Sequence, residues 1–377
     1  MGFKLRGIAS LMIGLALVAS ACGDDDDAAP ATTAAPATTA APATTAAPAT
    51  TAPEEAFAPG VDVNGDGVIT IGHIVAGDRN DGGYYQGQVE AVVAHAEANG
   101  WTAIVVDQLQ PGSGREVIEN LVRQGADLII AGGAEMSDGM AETAGEPAFS
   151  DVNYLLVTGA PPTSDFIATA AADENQAHFM GGVAAGLLLD RSGGASACIT
   201  GGPELPFVLQ MEKSMSAGLE HAQEKYGKAA GAELLVTFTG SFEDAALAVE
   251  AATAQFNQGC ELIYPYLGGA MPAVWGAAAE AGVGVVGTSM DLCGIPGLEF
   301  TVMSINYNPM YYLHSIIDSF VAGEFEEGKQ LALYGVGAGI GVGANLCDAT
   351  DEEQQILDEV RAALADGSID IRAIITG

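Results

Sequence analysis

"VITIGHIVAGDRNDGGYYQGQVEAVVAHAEANG", residues 68–100, sets the architecture. It opens with an apolar run rich in β-branched residues and bounded by Gly77, which reads as a buried strand. After Tyr84 the apolar positions recur at helical spacing, and Gly100 stands where a left-handed C-cap belongs. Strand, loop and helix make the first half of a βαβ unit. The loop between them is acidic and glycine-rich, and two tyrosines follow it at once.

The alternation continues outward. "TAIVVDQ", "DLIIAGG", "NYLLVTGA" and "DFIATAAAD" read as further strands, with helical segments such as "GREVIENLVRQG" between them, the last closed by Gly125. Helical periods between short β-rich runs predict a parallel sheet. The pattern then restarts with a helix, "ENQAHFMGGVAAGLLLD", and the strands "SACITGG", "ELLVTFTG", "LIYPYLGG" and "VGVVGTS". "EFTVMS", the helix "PMYYLHSIIDSFVAG", a short β region and a last helix over 352–365 complete the chain. The expectation is an α/β protein of two doubly wound parallel-sheet lobes around a central cleft. Residues 68–173 plus about 303–327 would form the N-terminal lobe, and 174–302 plus about 328–377 the C-terminal lobe. Ligands of open α/β sheets bind beyond the carboxyl ends of the strands, and here the two sets of ends would face one another.

The chain has 377 residues with 12 Lys+Arg against 49 Asp+Glu, a formal charge of −37. So few basic residues cannot neutralise a phosphate backbone, which argues against a nucleic-acid partner. The first 21 residues have a basic start, an apolar run too short to span a membrane, and a small-residue approach to Cys22. "LVASAC" resembles a lipobox, which implies cleavage before Cys22 and lipid on its thiol and new amino group. An ordinary signal peptide with a chance cysteine is the alternative. Residues 22–60 carry near-copies of "APATTA" and have little to bury, so they read as a disordered, extended Ala/Pro/Thr tether.

Four more cysteines remain, an even number that permits disulfides in an exported chain. Cys198 and Cys260 precede strands and Cys293 and Cys347 fall in loops, so pairing is expected in that way. No CxxC spacing supports zinc. Asp62, Asn64, Asp66 and Gly67 resemble the front of a calcium loop, but His73 stands where a bidentate Glu would close it. An Asx-rich turn is the plainer reading, a weak calcium site the alternative, and no metal is expected. The five His have no metalloprotease spacing, and neither a GxSxG elbow nor a P-loop is present. "GVGAGIGVG" (335–343) does not follow the first strand of a βαβ unit, so it reads as a loop or hairpin, not a dinucleotide site. No cofactor and no catalysis are expected.

The succession "GADLIIAGGAEMSDGM", "DENQAHFMGGVAAGLL", "GGPELPFVLQMEKSMSAGLEHA", "LGGAMPAVWGAAAEAGVGVVGTSMD" and "VMSINYNPMYYLHSII" resembles the basic membrane protein (BMP) family of lipoproteins. These are purine-nucleoside-binding substrate-binding proteins of ABC importers. The resemblance covers roughly 70–345 and implies the type I periplasmic-binding-protein fold. It also implies that Asp78, Asn80 and Asp81 read a ligand edge, while Tyr84, or Tyr85 beside it, meets the face of a base. Phe207 or Met211 would form the opposing wall, and Tyr266, Gly268 and Gly269 the loop near the sugar. The sequence departs from the family at two places: Ser289 stands where a ribose-binding Asp is usual, with Asp291 two residues on, and Tyr307 stands where a Lys is usual. Asp173 and Glu174, at the lobe crossover, read as hinge or capping groups or as ligand contacts, and Trp275 reads as core. The expectation is a monomeric lipoprotein on the outer face of the cell membrane that passes a nucleoside-like ligand to an ABC permease complex. A sugar or other polar ligand, or a sensor docking on a receptor kinase, are the alternatives.

Overall fold

The computed structural model describes residues 57–109 and 113–376. The signal segment, Cys22 and most of the expected tether lie outside the described residues.

The first sheet grows from β1 (Thr70–Ile74), α1 (Tyr84–Asn99), β2 (Thr102–Val106), α2 (Gly114–Arg123), β3 (Leu128–Ala131), α3 (Ser137–Ala144), β4 (Asn153–Val157) and β5 (Ile167–Ala172). α4 (Glu174–Ser192) then leads to β6 (Ser196–Gly201), α5 (Pro206–Tyr226), β7 (Glu233–Phe238), α6 (Ala245–Asn257), β8 (Leu262–Tyr266), α7 (Met271–Ala281), β9 (Gly284–Ser289) and β10 (Thr301–Asn306). The chain ends with α8 (Leu313–Val321), β11 (Gln330–Tyr334), β12 (Gly343–Leu346), α9 (Asp351–Ala365) and α10 (Ile371–Thr376).

The sheet orders are β2-β1-β3-β4-β5-β11 and β7-β6-β8-β9-β10-β12. Every pairing is parallel except β10 with β12. The inner strands are buried on both faces, as a parallel sheet covered by helices requires, and this explains their unbroken apolar runs.

Two late strands change places relative to expectation. β10 lies in the second sheet, although residues 303–327 were assigned to the first lobe; β11 lies in the first sheet, although 328–377 were assigned to the second. α8 does pack on α1. The chain therefore crosses between lobes after β5, before α8 and again before β12. The glycine-rich segment 335–343 is that last crossing, not a hairpin.

At their closest approach α4 and α5 meet backbone to backbone. A Cβ on Gly182 would stand 2.0 Å from the carbonyl oxygen of Met215, and one on Gly218 2.0 Å from that of Phe179. Only hydrogen fits at either point. Nearby, α4 buries Phe179, Met180, Val183, Leu187 and Leu189, which ties it into the main core.

Cys198 is bonded to Cys260 and Cys293 to Cys347. In the 62–67 turn the side-chain oxygens are occupied by backbone. Asp62 accepts from the N–H of Gly65 and Gly67, Asn64 from Asp66, and Asp66 from Val68, at 2.8–2.9 Å. Trp275 is buried beside Phe300. Among the described residues no helix is long and apolar enough to cross a membrane.

Candidate functional site

In each sheet the strand order turns at the first strand, between β1 and β3 and between β6 and β8. Loops leaving those ends diverge, and the gap between them is where such sheets hold ligands. Here the loops after β1, β3, β6 and β8 all line one cleft of about 980 Å³, contributing among others Asp81, Glu135, Leu205 and Gly268.

Asp81 organises the first wall. Its Oδ1 accepts from the N–H of Gly83 at 2.9 Å and of Gln86 at 3.0 Å, and its Oδ2 from Tyr85 at 3.1 Å. These are first-turn donors of α1 that have no helical partner, so one carboxylate caps the helix and fixes the two tyrosines behind it. The rings of Tyr84 and Tyr85 meet edge to face at 5.6 Å. Tyr84 also lies 6.2 Å from the ring of Tyr307, which comes from the segment after β10. Tyr85 hydrogen-bonds the carboxylate of Glu135.

The floor comes from the start of α4 and from β8. Asp173 accepts from the N–H of Gln176 as the N-cap of α4. Tyr266 donates to Glu174 at 3.3 Å, and burial pushes the Glu174 carboxyl up to about 7. His178 is fully buried, with Nδ1 2.7 Å from the carbonyl oxygen of Glu174 and Nε2 2.9 Å from the hydroxyl of Tyr264. Burial lowers this imidazole to about 3, so it is neutral at physiological pH. Burial also raises the Tyr264, Tyr266 and Tyr307 phenols well above their usual range, so all three keep their hydrogens.

The far wall holds Phe207 and Phe242, near-parallel rings 6.4 Å apart, together with Met211 and Glu243. Glu243 accepts from the N–H of Gly269 at 3.1 Å. Arg372 of α10 also lines the cleft; it is more than half exposed and stands 3.7 Å from Asp173.

Of the expected site residues, Asp81, Tyr84, Tyr85, Phe207, Met211, Tyr266, Gly268 and Tyr307 line this cleft together. Five do not. Asp78 folds back to accept from the backbone and side chain of Asn80, two residues on; Asp78 is half-buried and Asn80 exposed. Gly269 is not in the lining and gives its N–H to Glu243. Asp291 is exposed and accepts from Cys293 N–H and Asn345. Ser289 is wholly buried at a φ of +66°, and its hydroxyl accepts from Asn308.

Asn308 was not anticipated. It is fully buried and bridges the lobes, its Nδ2 donating to the carbonyl of Gly83 and to Ser289 Oγ, each at 3.0 Å. Glu135, His178, Phe242, Glu243 and Arg372 were also missed. Glu135 alone had a usable signal, because it stands two residues after "LIIAGG" (128–133), in the loop at the end of an inner strand.

The PnrA-like ABC transporter substrate-binding protein family, Bmp, matches residues 68–368. No curated protein matches the chain. Among solved structures, an ABC transporter solute-binding protein from Aeropyrum pernix K1 superposes with a TM-score of 0.69 at 17% identity, over 80% of this chain and 92% of that one. One from Conexibacter woesei gives 0.61 at 24% identity, over 80% and 98%. One from Mycobacterium smegmatis, with bound glycerol, gives 0.54 at 16% identity, over 77% and 97%. These likenesses place the two lobes in the type I periplasmic-binding-protein fold.

Proposed function

The chain belongs to the Bmp family of PnrA-like ABC transporter substrate-binding proteins, and from that premise we propose that its cleft captures a purine nucleoside and presents it to a membrane permease. The observation that carries this reading is one cleft with aromatic rings on both walls and carboxylates between them. Tyr84 stands on the first lobe and Phe207 and Phe242 on the second, with Glu135, Glu174 and Glu243 also in the lining. A purine presents two flat faces, which the rings stack on at about 1–3 kcal/mol per base. Its edge and its ribose present N–H and O–H groups, which carboxylates and phenols accept.

Closing two lobes on a ligand is population shift by hinge motion, and contacts from both walls make the closed form the bound form. The cleft holds and releases its ligand unchanged. Cys22 would carry the lipid that tethers a monomeric protein to the outer face of the membrane. The test is a melting screen of the purified protein against nucleosides, nucleobases and sugars. A nucleoside at 100 times its Kd should stabilise the fold by about 2.7 kcal/mol. A rise with sugars alone, and with no nucleoside, would refute the ligand.

A further inference from the structure

Of the four tyrosines that line this cleft, the hydroxyl hydrogens of Tyr85, Tyr266 and Tyr307 can be placed. Nδ1 of His178 lies 2.7 Å from the carbonyl oxygen of Glu174. A carbonyl only accepts, so Nδ1 carries the ring hydrogen. The ring is fully buried and, for that reason, neutral, which leaves Nε2 as a bare lone pair. The Tyr264 hydroxyl, 2.9 Å away, must therefore donate to Nε2. Tyr264 can then only accept from Tyr307, at 3.3 Å, so Tyr307 points its hydrogen away from the cleft. Tyr85 commits its hydrogen to Glu135 and Tyr266 to Glu174. Three cleft-lining hydroxyls are left with lone pairs alone for a ligand, beside Glu135 and Glu243, which also accept. Arg372 is the charged exception, and it sits exposed at the rim, facing Asp173.

We propose that Tyr85, Tyr266 and Tyr307 make the cleft floor an acceptor surface, which selects a neutral solute by the N–H and O–H groups it brings and rejects one that brings a phosphate. Tyr307 is the specificity-determining residue, and His178 and Tyr264 are positioning residues that set its hydrogen. An acceptor brought against this surface would be buried without a partner, the strongest form of rejection that a polar site has. The inference rests on the solute-capture reading, but not on the nucleoside.

The test is titration calorimetry of the purified protein with two matched pairs, adenosine against its 5′-monophosphate and ribose against ribose 5-phosphate. Adenosine analogues singly methylated on the amine or on each hydroxyl, and the corresponding methyl ribosides, complete the set. The neutral member of a pair should bind at least about 100-fold more tightly, as like charges brought together require. One methylation should weaken binding by roughly tenfold. That penalty should vanish in Tyr307→Phe and shrink in Tyr264→Phe, where the Tyr307 hydrogen is free to turn to the cleft. If only the ribose pair binds and behaves so, the nucleoside reading falls and the acceptor surface stands. The inference is overturned if a phosphorylated member binds as well as its parent, if no neutral member binds, or if a folded Tyr264→Phe keeps the full penalty. Should Tyr264→Phe not fold, Tyr307→Phe decides, and an undiminished penalty there overturns the inference.

Discussion

Replacing Asn308 should loosen the joint between the lobes, and the cost can be assembled bond by bond. Its Oδ1 accepts from the N–H of Met310 at 2.9 Å, capping the short turn Pro309–Tyr311. Losing such a cap costs about 1 kcal/mol. Its Nδ2 donates to Gly83 and to Ser289 Oγ at 3.0 Å, with a longer contact of 3.3 Å to the carbonyl of Tyr84. Two buried bonds contribute about 1 kcal/mol each. The carbonyl of Gly83 keeps the N–H of Gly87 at 3.1 Å, so it is not left without a partner. Asn308→Ala should therefore cost about 3 kcal/mol. Asn308→Asp keeps the cap but turns an acceptor toward the carbonyl of Gly83. It should cost more than alanine at pH 7, and its folded pKa should rise above the unfolded value. The lost stability then returns as pH falls through that folded pKa. Urea unfolding followed by circular dichroism at pH 7 and pH 5 measures both effects. The reasoning fails if alanine stays within about 0.5 kcal/mol of the parent, the range of an inert surface change, or if aspartate is no worse than alanine at pH 7.

Further outcomes follow from the same contacts. Glu174 has its folded pKa raised from 4.5 to about 7, so the fold takes up a proton there and stability should fall as pH rises between those values. The loss should be smaller than the about 3 kcal/mol such a shift would carry for a dry group, because the side chain also faces the cleft; Glu174→Gln should flatten the profile, and an unchanged profile by thermal melts at stepped pH would rule the assignment out. Gly218→Ala places a methyl against the carbonyl oxygen of Phe179 and should destabilise by at least about 2 kcal/mol. Gly276→Ala, in α7 with nothing within 4 Å, should instead stabilise by roughly 0.5–1 kcal/mol. Equal effects in the two variants, read as urea midpoints, would contradict the close crossing of α4 and α5.

The two lobes were legible because each strand and helix carries its own local period. Gly100, at φ +72°, and Gly125, at φ +91°, end α1 and α2 where the spacing placed them. Sheet membership is not local, and β10 and β11 were assigned to the wrong lobes for that reason. Nothing in "TVMSIN" or "QLALY" states which sheet has a free edge beside it. The cleft was legible where side chains sit at the end of a strand, as with Asp81, Tyr84 and Tyr266. It was illegible where a residue acts through a partner far along the chain. Asn308 reaches Gly83 across 225 positions, and His178 reaches Tyr264 across 86. Asp78 and Asn80 failed for the opposite reason: short polar side chains two residues apart bond to each other before they reach a ligand.

The central claim is that one solute is held by both walls at once. Titration calorimetry of adenosine or guanosine against the parent, Tyr84→Ala and Phe207→Ala measures this directly, with a melting curve of each free protein alongside. Each truncation removes one ring from a different lobe, and loss of one stacking contact at about 1–3 kcal/mol corresponds to roughly 5- to 150-fold weaker binding. The account predicts a loss in that range for both variants, with each still folded. Undiminished affinity in either one would contradict it.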